Sequence, residues 1–98
     1  MPAYVIADVS VHDAEQYKEY IVMAPVSIAQ YGGRYLARGG AKESLEGTWQ
    51  PTRLVILEFP TMARAKEWWS SPEYAPAKAL RNKTASANLM LLDGYNPA

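Results

Sequence analysis

The run Leu54-Val55-Ile56-Leu57-Glu58-Phe59, which stops at Pro60, carries the strongest strand signal in the chain. One of its two alternating sets is wholly apolar, and the other is apolar until it ends in the carboxylate of Glu58. A strand that is apolar on both faces is normally covered on both faces. The pattern therefore predicts a central strand, which we take to extend from Arg53 to Phe59.

Three further strands are predicted around it. Ala3 to Val11 has one fully apolar set and a second set that turns polar at Asp8, and Asn88 to Asp93 is apolar on both sets. Arg34 to Arg38 is shorter and is closed by Gly39-Gly40. Simple alternation places Arg34, Leu36 and Arg38 on one face of this strand, with Tyr35 and Ala37 on the other.

Two helical regions separate these strands. Asp13 is a good N-cap with Gln16 three residues on, and an apolar stripe at helical spacing then runs from Tyr17 to Tyr31. Pro25 lies inside this helix, where it removes the donor to the carbonyl of Ile21 and is expected to cause a kink. The second region begins at Thr61, and Ser71-Pro72-Glu73 predicts a break followed by a new helix start.

The order strand, helix, strand, strand, helix, strand predicts an architecture. Strand–helix–strand crossovers are almost always right-handed, so two interleaved crossovers put the first and third strands in the centre and both helices on one face. We therefore expect residues 1–98 to form a single α+β domain of the ferredoxin-like split β-α-β type (βαββαβ), with a four-stranded antiparallel sheet.

The other face of this sheet is predicted to be bare, although its strands carry apolar residues there. Four strands of this length present roughly 300 Å² of flat surface, a size that usually marks a contact site. The chain has no segment left to cover it. We therefore expect a homodimer in which two sheets pack face to face, giving a dimeric α/β barrel.

Several segments resemble a known family over essentially the whole chain. They are Tyr4-Val5-Ile6, Gln30-Tyr31-Gly32-Gly33-Arg34-Tyr35-Leu36-Ala37-Arg38-Gly39-Gly40, Leu45-Glu46-Gly47, Trp49, Leu57-Glu58-Phe59-Pro60 and Ser71-Pro72-Glu73-Tyr74. Together they resemble the domain-of-unknown-function 1330 (DUF1330) family. The resemblance implies a ferredoxin-like fold and a dimeric α/β barrel. Its superfamily holds cofactor-independent monooxygenases that form quinones, haem-dependent relatives and members without known chemistry, so the resemblance implies no catalytic residue.

Composition excludes several classes of function. Ten basic and ten acidic side chains give a formal net charge of zero, which argues against nucleic-acid and anionic-membrane partners. The chain has no cysteine and one histidine, His12, so thiolate sites and multi-histidine metal sites are excluded. We expect no metal and no cofactor. The start of the chain lacks signal-peptide features and no segment is apolar for about 20 residues, which favours a cytoplasmic protein.

Charged residues on the predicted sheet are the first candidates for a site. Asp8 and Glu58 lie on the two central strands, where paired acids can perform acid–base work. Arg34 and Arg38 lie on the neighbouring strand and could hold a carboxylate. Charged groups near a core are normally paired, which favours an internal ion network involving Glu58. The alternative is an arginine-lined pocket for a small anion, with Glu58 or Asp8 as the base.

Aromatic residues are dense on the predicted helices. Tyr20 and Trp68 are our candidates among them, with Tyr17, Trp69 and Tyr74 nearby in the sequence. Aromatics at helical spacing are more often core than ligand site, because each buries a large area. A phenol that faces an arginine of the sheet could nevertheless hold a flat aromatic molecule. Candidate ligand-binding residues are thus Arg34, Arg38, Glu58, Asp8, Tyr20 and Trp68.

Three functions are compatible with these patterns. The first is a dimer that binds a small anionic or aromatic molecule between the sheet and the helices. The second is a cofactor-independent monooxygenase or an isomerase acting on an aromatic or enolisable substrate. The third is a structural dimer with no ligand. A solvent-reachable cavity lined by Arg34, Arg38, Glu58 and a helix aromatic favours the first two, whereas a Glu58 that is closed off in an arginine pair with no cavity favours the third.

Overall fold

The computed structural model describes residues 1–97. In that range the elements are β1 (Ala3–Val11), α1 (Ala14–Gln30), β2 (Arg34–Arg38), β3 (Leu54–Phe59), α2 (Met62–Trp69), α3 (Ala75–Thr84) and β4 (Ala85–Asp93). The strands form one antiparallel sheet in the order β2-β3-β1-β4. The prediction of a ferredoxin-like α+β fold with the first and third strands in the centre is confirmed.

Alternation along β1, β3 and β4 separates two faces of the sheet. Val5 pairs with Leu57 on one side and Leu91 on the other, and all three belong to the core under the helices. The buried core under the helices consists of two clusters, one that includes Phe59 and Trp68 and one that includes Val9 and Tyr17. The opposite set of strand residues belongs to neither core cluster: Tyr4, Ile6, Leu54, Ile56, Met90 and Leu92. Met90 is 67% exposed and Leu92 53% exposed, so apolar side chains on the face without helices are open to solvent, as predicted.

The helix starts follow the predicted caps. Asp13 Oδ1 accepts a hydrogen bond from the backbone N–H of Gln16 at 3.2 Å, and Thr61 Oγ1 accepts one from Arg64 at 3.0 Å. Both carboxylate and hydroxyl satisfy donors that the first helical turn leaves free. α1 continues through Pro25 as one helix.

Strand β4 begins earlier than the sequence predicted. We expected it to start at Asn88, whereas it follows α3 directly from Ala85 and pairs with the end of β1, with Ala85 opposite Val11. The segment Ala85–Ala87 has little intrinsic preference for a strand, because alanine is depleted in strands. Its extended conformation comes from pairing with β1, a partner far away in the sequence.

A bulge in β2 corrects the predicted faces of this strand. Tyr35 pairs with Leu57 but Ala37 pairs with Ile56, so Leu36 is an extra residue and the register shifts by one. Because a bulge inserts one residue into the alternation, the residues after it change face. Arg34 therefore lies on the open face and Arg38 on the helix side. The expectation that Arg34 and Arg38 share a face is wrong.

Large aromatic side chains fill the core between the helices and the sheet. Trp68, Tyr74 and Phe59 are among the largest side chains that are fully buried. The rings of Trp68 and Tyr74 lie 4.2 Å apart and those of Phe59 and Trp68 lie 5.2 Å apart, close enough for tilted ring packing. The core is thus built around Trp68, the residue that joins α2 to both the sheet and α3.

Candidate functional site

A small cavity lies between the sheet and the helices. Its volume is about 30 Å³, which is room for roughly two water molecules. Six apolar side chains of the sheet line it: Val5, Ala7, Val9, Val55, Leu57 and Leu89. Aromatic side chains line it as well: Tyr17, Tyr20, Tyr35 and Trp68. The wall of the cavity is therefore apolar or aromatic except where arginines and phenol groups reach it.

Three arginines reach this cavity from three different elements. Arg38 is the last residue of β2, Arg53 directly precedes β3, and Arg81 lies in α3. Arg81 is only 4% exposed, and its Nε lies 3.4 Å from the hydroxyl of Tyr74. The Nε of Arg53 is buried and has no hydrogen-bond partner among residues 1–97. A buried guanidinium such as that of Arg81 is costly, since charge is normally paired inside proteins.

No carboxylate neutralises these arginines within the described part of the chain. The ion pairs formed by residues 1–97 are Lys18–Glu15, Arg34–Glu58 and Arg64–Glu67. None of them includes an arginine of the cavity. Removing one partner of a buried charge pair leaves an uncompensated charge and costs several kcal/mol. The cavity is therefore a positively charged environment that lacks its own counter-ion.

Glycine makes room for one of the guanidinium groups. Gly39 directly follows β2 and has a φ of +66°. A Cβ at this position would overlap Nη1 of Arg53. Because glycine alone combines this backbone conformation with the absence of a side chain, Gly39 allows the Arg53 guanidinium to pack against the end of β2.

The phenol groups of the cavity are held in the neutral form. Burial, assisted by the neighbouring Tyr74, raises the pKa of Tyr20 far above its ordinary value. Burial also raises the pKa of Tyr17, against the opposing effect of Arg53, and that of Tyr35, against the opposing effect of Arg38. Neutral phenols can donate and accept hydrogen bonds, but they are poor proton acceptors at neutral pH.

Three of the six predicted site residues lie at the cavity: Arg38, Tyr20 and Trp68. Arg38 Nη2 donates to the carbonyl of Ile21 at 2.6 Å, and its guanidinium lies 4.4 Å above the ring of Tyr35. The hydroxyls of Tyr20 and Tyr74 share a hydrogen bond of 2.9 Å. Trp68 Nε1 donates to Ser27 Oγ at 3.2 Å, so its indole packs as a satisfied core group that also forms part of the wall.

The other three predicted residues, Arg34, Glu58 and Asp8, lie on the open face. Arg34 Nε is 3.0 Å from Glu58 Oε1, so Glu58 is paired with an arginine as the sequence favoured, but the pair lies at the surface and not in the interior. Asp8 accepts hydrogen bonds from the backbone N–H of Thr52 at 2.9 Å and from Trp49 Nε1 at 3.4 Å. Asp8 therefore anchors the long loop between β2 and β3.

The two carboxylates do not form a pair. Glu58 lies opposite Tyr4 and Asp8 lies opposite Leu54, so four residues of strand separate them, or about 13 Å at the usual rise of a strand. Neither lines the cavity. Acid–base work by both groups on one substrate is thus incompatible with their spacing in a subunit.

Sequence reasoning missed two of the cavity arginines as a site. The sequence pattern marks Arg53 as the start of a strand, and Arg81 is not among our candidates. A signal for Arg81 was present: Ala77, Arg81 and Thr84 fall on one stripe of α3, and all three are buried. A cation on the apolar stripe of a helix is unusual enough to mark a candidate site.

The described residues also limit other chemistry. Residues 1–97 contain no group of three or more His, Cys, Asp or Glu side chains that could hold a metal ion. In the same range, no helix has both the length and the apolar character that a membrane crossing requires.

The fold and its internal cavity define an α+β protein of the ferredoxin-like class. A family model described as "Domain of unknown function (DUF1330)" matches residues 2–95, so the chain belongs to that family and the predicted resemblance is confirmed. A search of curated proteins finds no significant match.

Solved structures with the same fold come from several organisms. A protein of unknown function from Rhodopseudomonas palustris is 22% identical, with a TM-score of 0.77 over 98% of this chain and 84% of the other. A dimeric ferredoxin-like protein of unknown function from Jannaschia sp. CCS1 is 11% identical, with a TM-score of 0.71 over 96% and 100%. SnoaB, a cofactor-independent oxygenase from Streptomyces nogalater, is 8% identical, with a TM-score of 0.66 over 97% and 94%. At these identities the similarity is one of fold.

Proposed function

We propose that the protein binds a small organic anion in the cavity between its sheet and helices. The observation that carries this proposal is the convergence of Arg38, Arg53 and Arg81 on a cavity without a carboxylate of its own. A bound anion would supply the missing counter-charge. The buried position of Arg81 makes this compensation large, because charge–charge attraction is strongest away from water.

The cavity favours a carboxylate as the anionic group. A guanidinium presents parallel N–H donors that match the two oxygens of a carboxylate. The remaining wall is formed by apolar sheet residues and by tyrosine rings, which suit a short aliphatic or aromatic remainder. A volume of about 30 Å³ accommodates the carboxylate group, so the remainder of the ligand enters only if the wall moves outward.

The cavity supports binding better than it supports proton transfer. The fold is shared with a protein described as a cofactor-independent oxygenase, which makes the monooxygenase or isomerase hypothesis worth testing. However, Asp8 and Glu58, our candidate bases, lie on the other face of the sheet. The lining tyrosines are kept neutral by burial, as the raised pKa values of Tyr17, Tyr20 and Tyr35 indicate. A ligand that arrives as an anion needs no base from the protein.

The structural-dimer hypothesis accounts for only part of the molecule. It correctly anticipates the pairing of Glu58 with an arginine, Arg34, at 3.0 Å. It offers no reason for three arginines that line one cavity without a carboxylate beside them. The cavity arginines therefore favour a ligand.

We also propose that two copies pair through their open sheet faces. The apolar set on this face includes Ile6 and Ile56 in the two central strands and Met90 at the edge, and it belongs to neither core cluster. One neighbour in fold is described as a dimeric ferredoxin-like protein, which supports this arrangement. In such a dimer each cavity stays on the helix side of its own sheet. We place the protein in the cytoplasm, in keeping with a chain that has no cysteine.

The binding proposal is tested by titrating the protein with benzoate and acetate at constant ionic strength, with benzamide as a neutral analogue of benzoate. Calorimetry reports binding, and so does tryptophan fluorescence, because Trp68, one of the three tryptophans, lines the cavity. We expect benzoate and acetate to bind, and benzamide to bind at least about tenfold more weakly than benzoate. In Arg81→Met the affinity for benzoate should fall by tenfold or more, because hydrogen bonds to charged groups are worth about 1.5–3 kcal/mol.

The ligand-free stability of Arg81→Met provides a second criterion. Replacing a buried, unneutralised cation with an apolar side chain of similar length is expected to leave the free energy of unfolding unchanged or raise it. The matched control is Arg64→Met, which removes an arginine of the helix surface and should leave benzoate binding unaltered. Destabilisation by Arg81→Met together with unchanged benzoate binding would show that Arg81 has only a structural role and would refute the proposal.

A further inference from the structure

Pro25 leaves one carbonyl of α1 without its helical donor. In a helix the N–H of residue 25 would bond to the carbonyl of residue 21, but proline has no N–H. The carbonyl of Ile21 accepts a hydrogen bond from Arg38 Nη2 instead, at 2.6 Å. α1 runs without interruption from Ala14 to Gln30, so this carbonyl is offered to a side chain from another element inside a continuous helix.

The side chain of Arg38 extends from the sheet to this carbonyl on the helix. It is the last residue of the edge strand β2, and its guanidinium packs 4.4 Å above the ring of Tyr35 before it reaches Ile21. Arg38, Tyr35 and Ile21 all line the cavity. Arg38 is exposed whereas Arg81 is buried, so Arg38 stands on the solvent side of the cavity, which we call its mouth.

We propose that Pro25 is a positioning residue for Arg38. Because Pro25 has no N–H, the carbonyl of Ile21 is free to hold the guanidinium of Arg38 across the mouth of the cavity. An entering carboxylate then replaces that carbonyl as the hydrogen-bond acceptor of the guanidinium. This inference rests on the proposed anion-binding function. Its physical basis is the difference between the two acceptors. The guanidinium is charged in both cases, but a carboxylate is charged as well and can accept two parallel N–H bonds, whereas the Ile21 carbonyl is neutral and accepts one from Arg38. A carboxylate therefore competes better for the guanidinium than the carbonyl does.

Selectivity for anions follows from this exchange. A neutral molecule offers Arg38 no better acceptor than the Ile21 carbonyl already provides, so the guanidinium stays across the mouth and blocks entry. A carboxylate offers a charged acceptor, so the guanidinium leaves the carbonyl and the mouth opens. The closed form also lowers the apparent affinity for every ligand, because only the fraction of molecules with an open mouth can bind. Weakening the hold on Arg38 is therefore expected to increase the affinity and the association rate while reducing the preference for anions.

The test compares Pro25→Ala with Pro76→Ala. The first variant returns an N–H donor to the carbonyl of Ile21 and so competes with Arg38. The second makes the same chemical change in the first turn of α3, whose N–H groups have no carbonyl partner within the helix. In protein without ligand, the side-chain N–H signals of Arg38 in nitrogen-15 NMR should become more mobile and exchange faster with solvent in Pro25→Ala, and should stay as in the wild type in Pro76→Ala.

Benzoate and benzamide binding complete the test. We expect Pro25→Ala to bind benzoate about two- to tenfold more tightly, with faster association, and to discriminate less against benzamide, as a larger open fraction requires. Arg38→Lys keeps the positive charge, but its side chain is shorter and lacks the paired N–H donors of a guanidinium. Benzoate should associate with this variant as fast as with Pro25→Ala. Agreement between the two variants would show that the faster association does not come from a folding defect caused by the loss of Pro25.

The outcomes separate this inference from the proposed function. If Pro25→Ala leaves both the mobility of Arg38 and the association rate of benzoate unchanged, the positioning role is refuted even though benzoate binds. If the mobility of Arg38 rises in Pro25→Ala alone but no variant binds benzoate, acetate or benzamide, the hold on Arg38 is established and the anion-binding function is refuted.

Discussion

The hydroxyl of Tyr20 on α1 lies 2.9 Å from the hydroxyl of Tyr74, and the Tyr74 hydroxyl lies 3.4 Å from Nε of the buried Arg81. This short chain of polar groups joins α1 to the start and middle of α3 through the interior of the protein. Tyr74 is the central member, because it contacts both of the others and is 0% exposed. The Tyr74 hydroxyl therefore takes part in two hydrogen bonds of this chain, whereas the Tyr20 hydroxyl takes part in one.

Removing the Tyr74 hydroxyl should cost more stability than removing the Tyr20 hydroxyl. Tyr20→Phe loses one hydrogen bond and leaves Tyr74 with Arg81, an expected cost of about 1 kcal/mol in the free energy of unfolding. Tyr74→Phe leaves both the Tyr20 hydroxyl and Arg81 Nε without this partner, an expected cost of roughly 2–3 kcal/mol. Urea unfolding measures both costs. Equal costs, or a larger cost for Tyr20→Phe, would contradict this ranking.

Tyr20 should also make the protein sensitive to alkali. Burial, and next the neighbouring Tyr74, raises the pKa of Tyr20 far above the ordinary value of 10.0. Above pH 10 the unfolded chain loses this proton while the folded chain keeps it, so the stabilising effect is complete below pH 10 and declines as the pH rises. The decline is about 1.4 kcal/mol per pH unit for one such group. Tyr20→Phe should unfold with a correspondingly shallower pH dependence above pH 10.

Tyr95→Phe is the control for the alkaline measurement, because Tyr95 is 87% exposed. Its unfolding free energy between pH 9 and 11 should run parallel to that of the wild type. If Tyr20→Phe also runs parallel to the wild type over this range, Tyr20 ionises normally in the folded protein and the argument fails.

The tight packing of Gly33 predicts a large effect for a small substitution. A Cβ at Gly33 would lie 2.6 Å from Phe59 Cε1 and 2.8 Å from Ile28 Cγ2. Phe59 is 0% exposed and cannot move aside, so Gly33→Ala should destabilise the protein by roughly 1–3 kcal/mol through overpacking. Gly40→Ala adds the same methyl group where no atom lies within 4 Å and should be nearly neutral in thermal unfolding. Similar unfolding temperatures for both variants would be inconsistent with this packing.

A charge on the open face tests the proposed dimer. Ile6 lies on the central strand β1, between Ile56 on one side and Met90 on the other. Ile6→Asp would bury an unpaired carboxylate against the partner's sheet, so it should yield monomers or insoluble protein. Val22→Asp, on an exposed position of α1 with 73% of the side chain accessible, should leave the sedimentation coefficient of the dimer unchanged. Sedimentation of folded wild-type protein as a 10.9 kDa particle at low micromolar concentration would disprove the dimer.

The regular part of the fold could be predicted because its signals are local. Alternation along Leu54–Phe59 and Ala3–Val11 indicated central strands, and Asp13 and Thr61 marked helix starts. The interleaved order of the elements then left one sheet face without helices. Each of these inferences uses residues within one turn or one strand, where periodicity and capping depend on the nearest neighbours.

The candidate site was less accessible to such reasoning. Arg38 was placed with Arg34, because alternation does not reveal a bulge whose position depends on pairing with β3. Glu58 and Asp8 were grouped because both lie on central strands, whereas the register sets them four residues apart. Register and bulges are properties of strand pairs, so they appear only when both strands are in place.

By itself the sequence determined which residues alternate between the two faces of the central strands and that Pro25 frees the carbonyl of Ile21, since proline lacks a donor in any fold. Only the tertiary structure decided that Arg38 takes that carbonyl, and that Arg38, Arg53 and Arg81 share one cavity without a carboxylate. The physical reason is distance along the chain. The missing N–H of a proline can be identified from a single residue. The electrostatic field inside a cavity, by contrast, is the sum over charged side chains that are far apart in the sequence and come together only on folding.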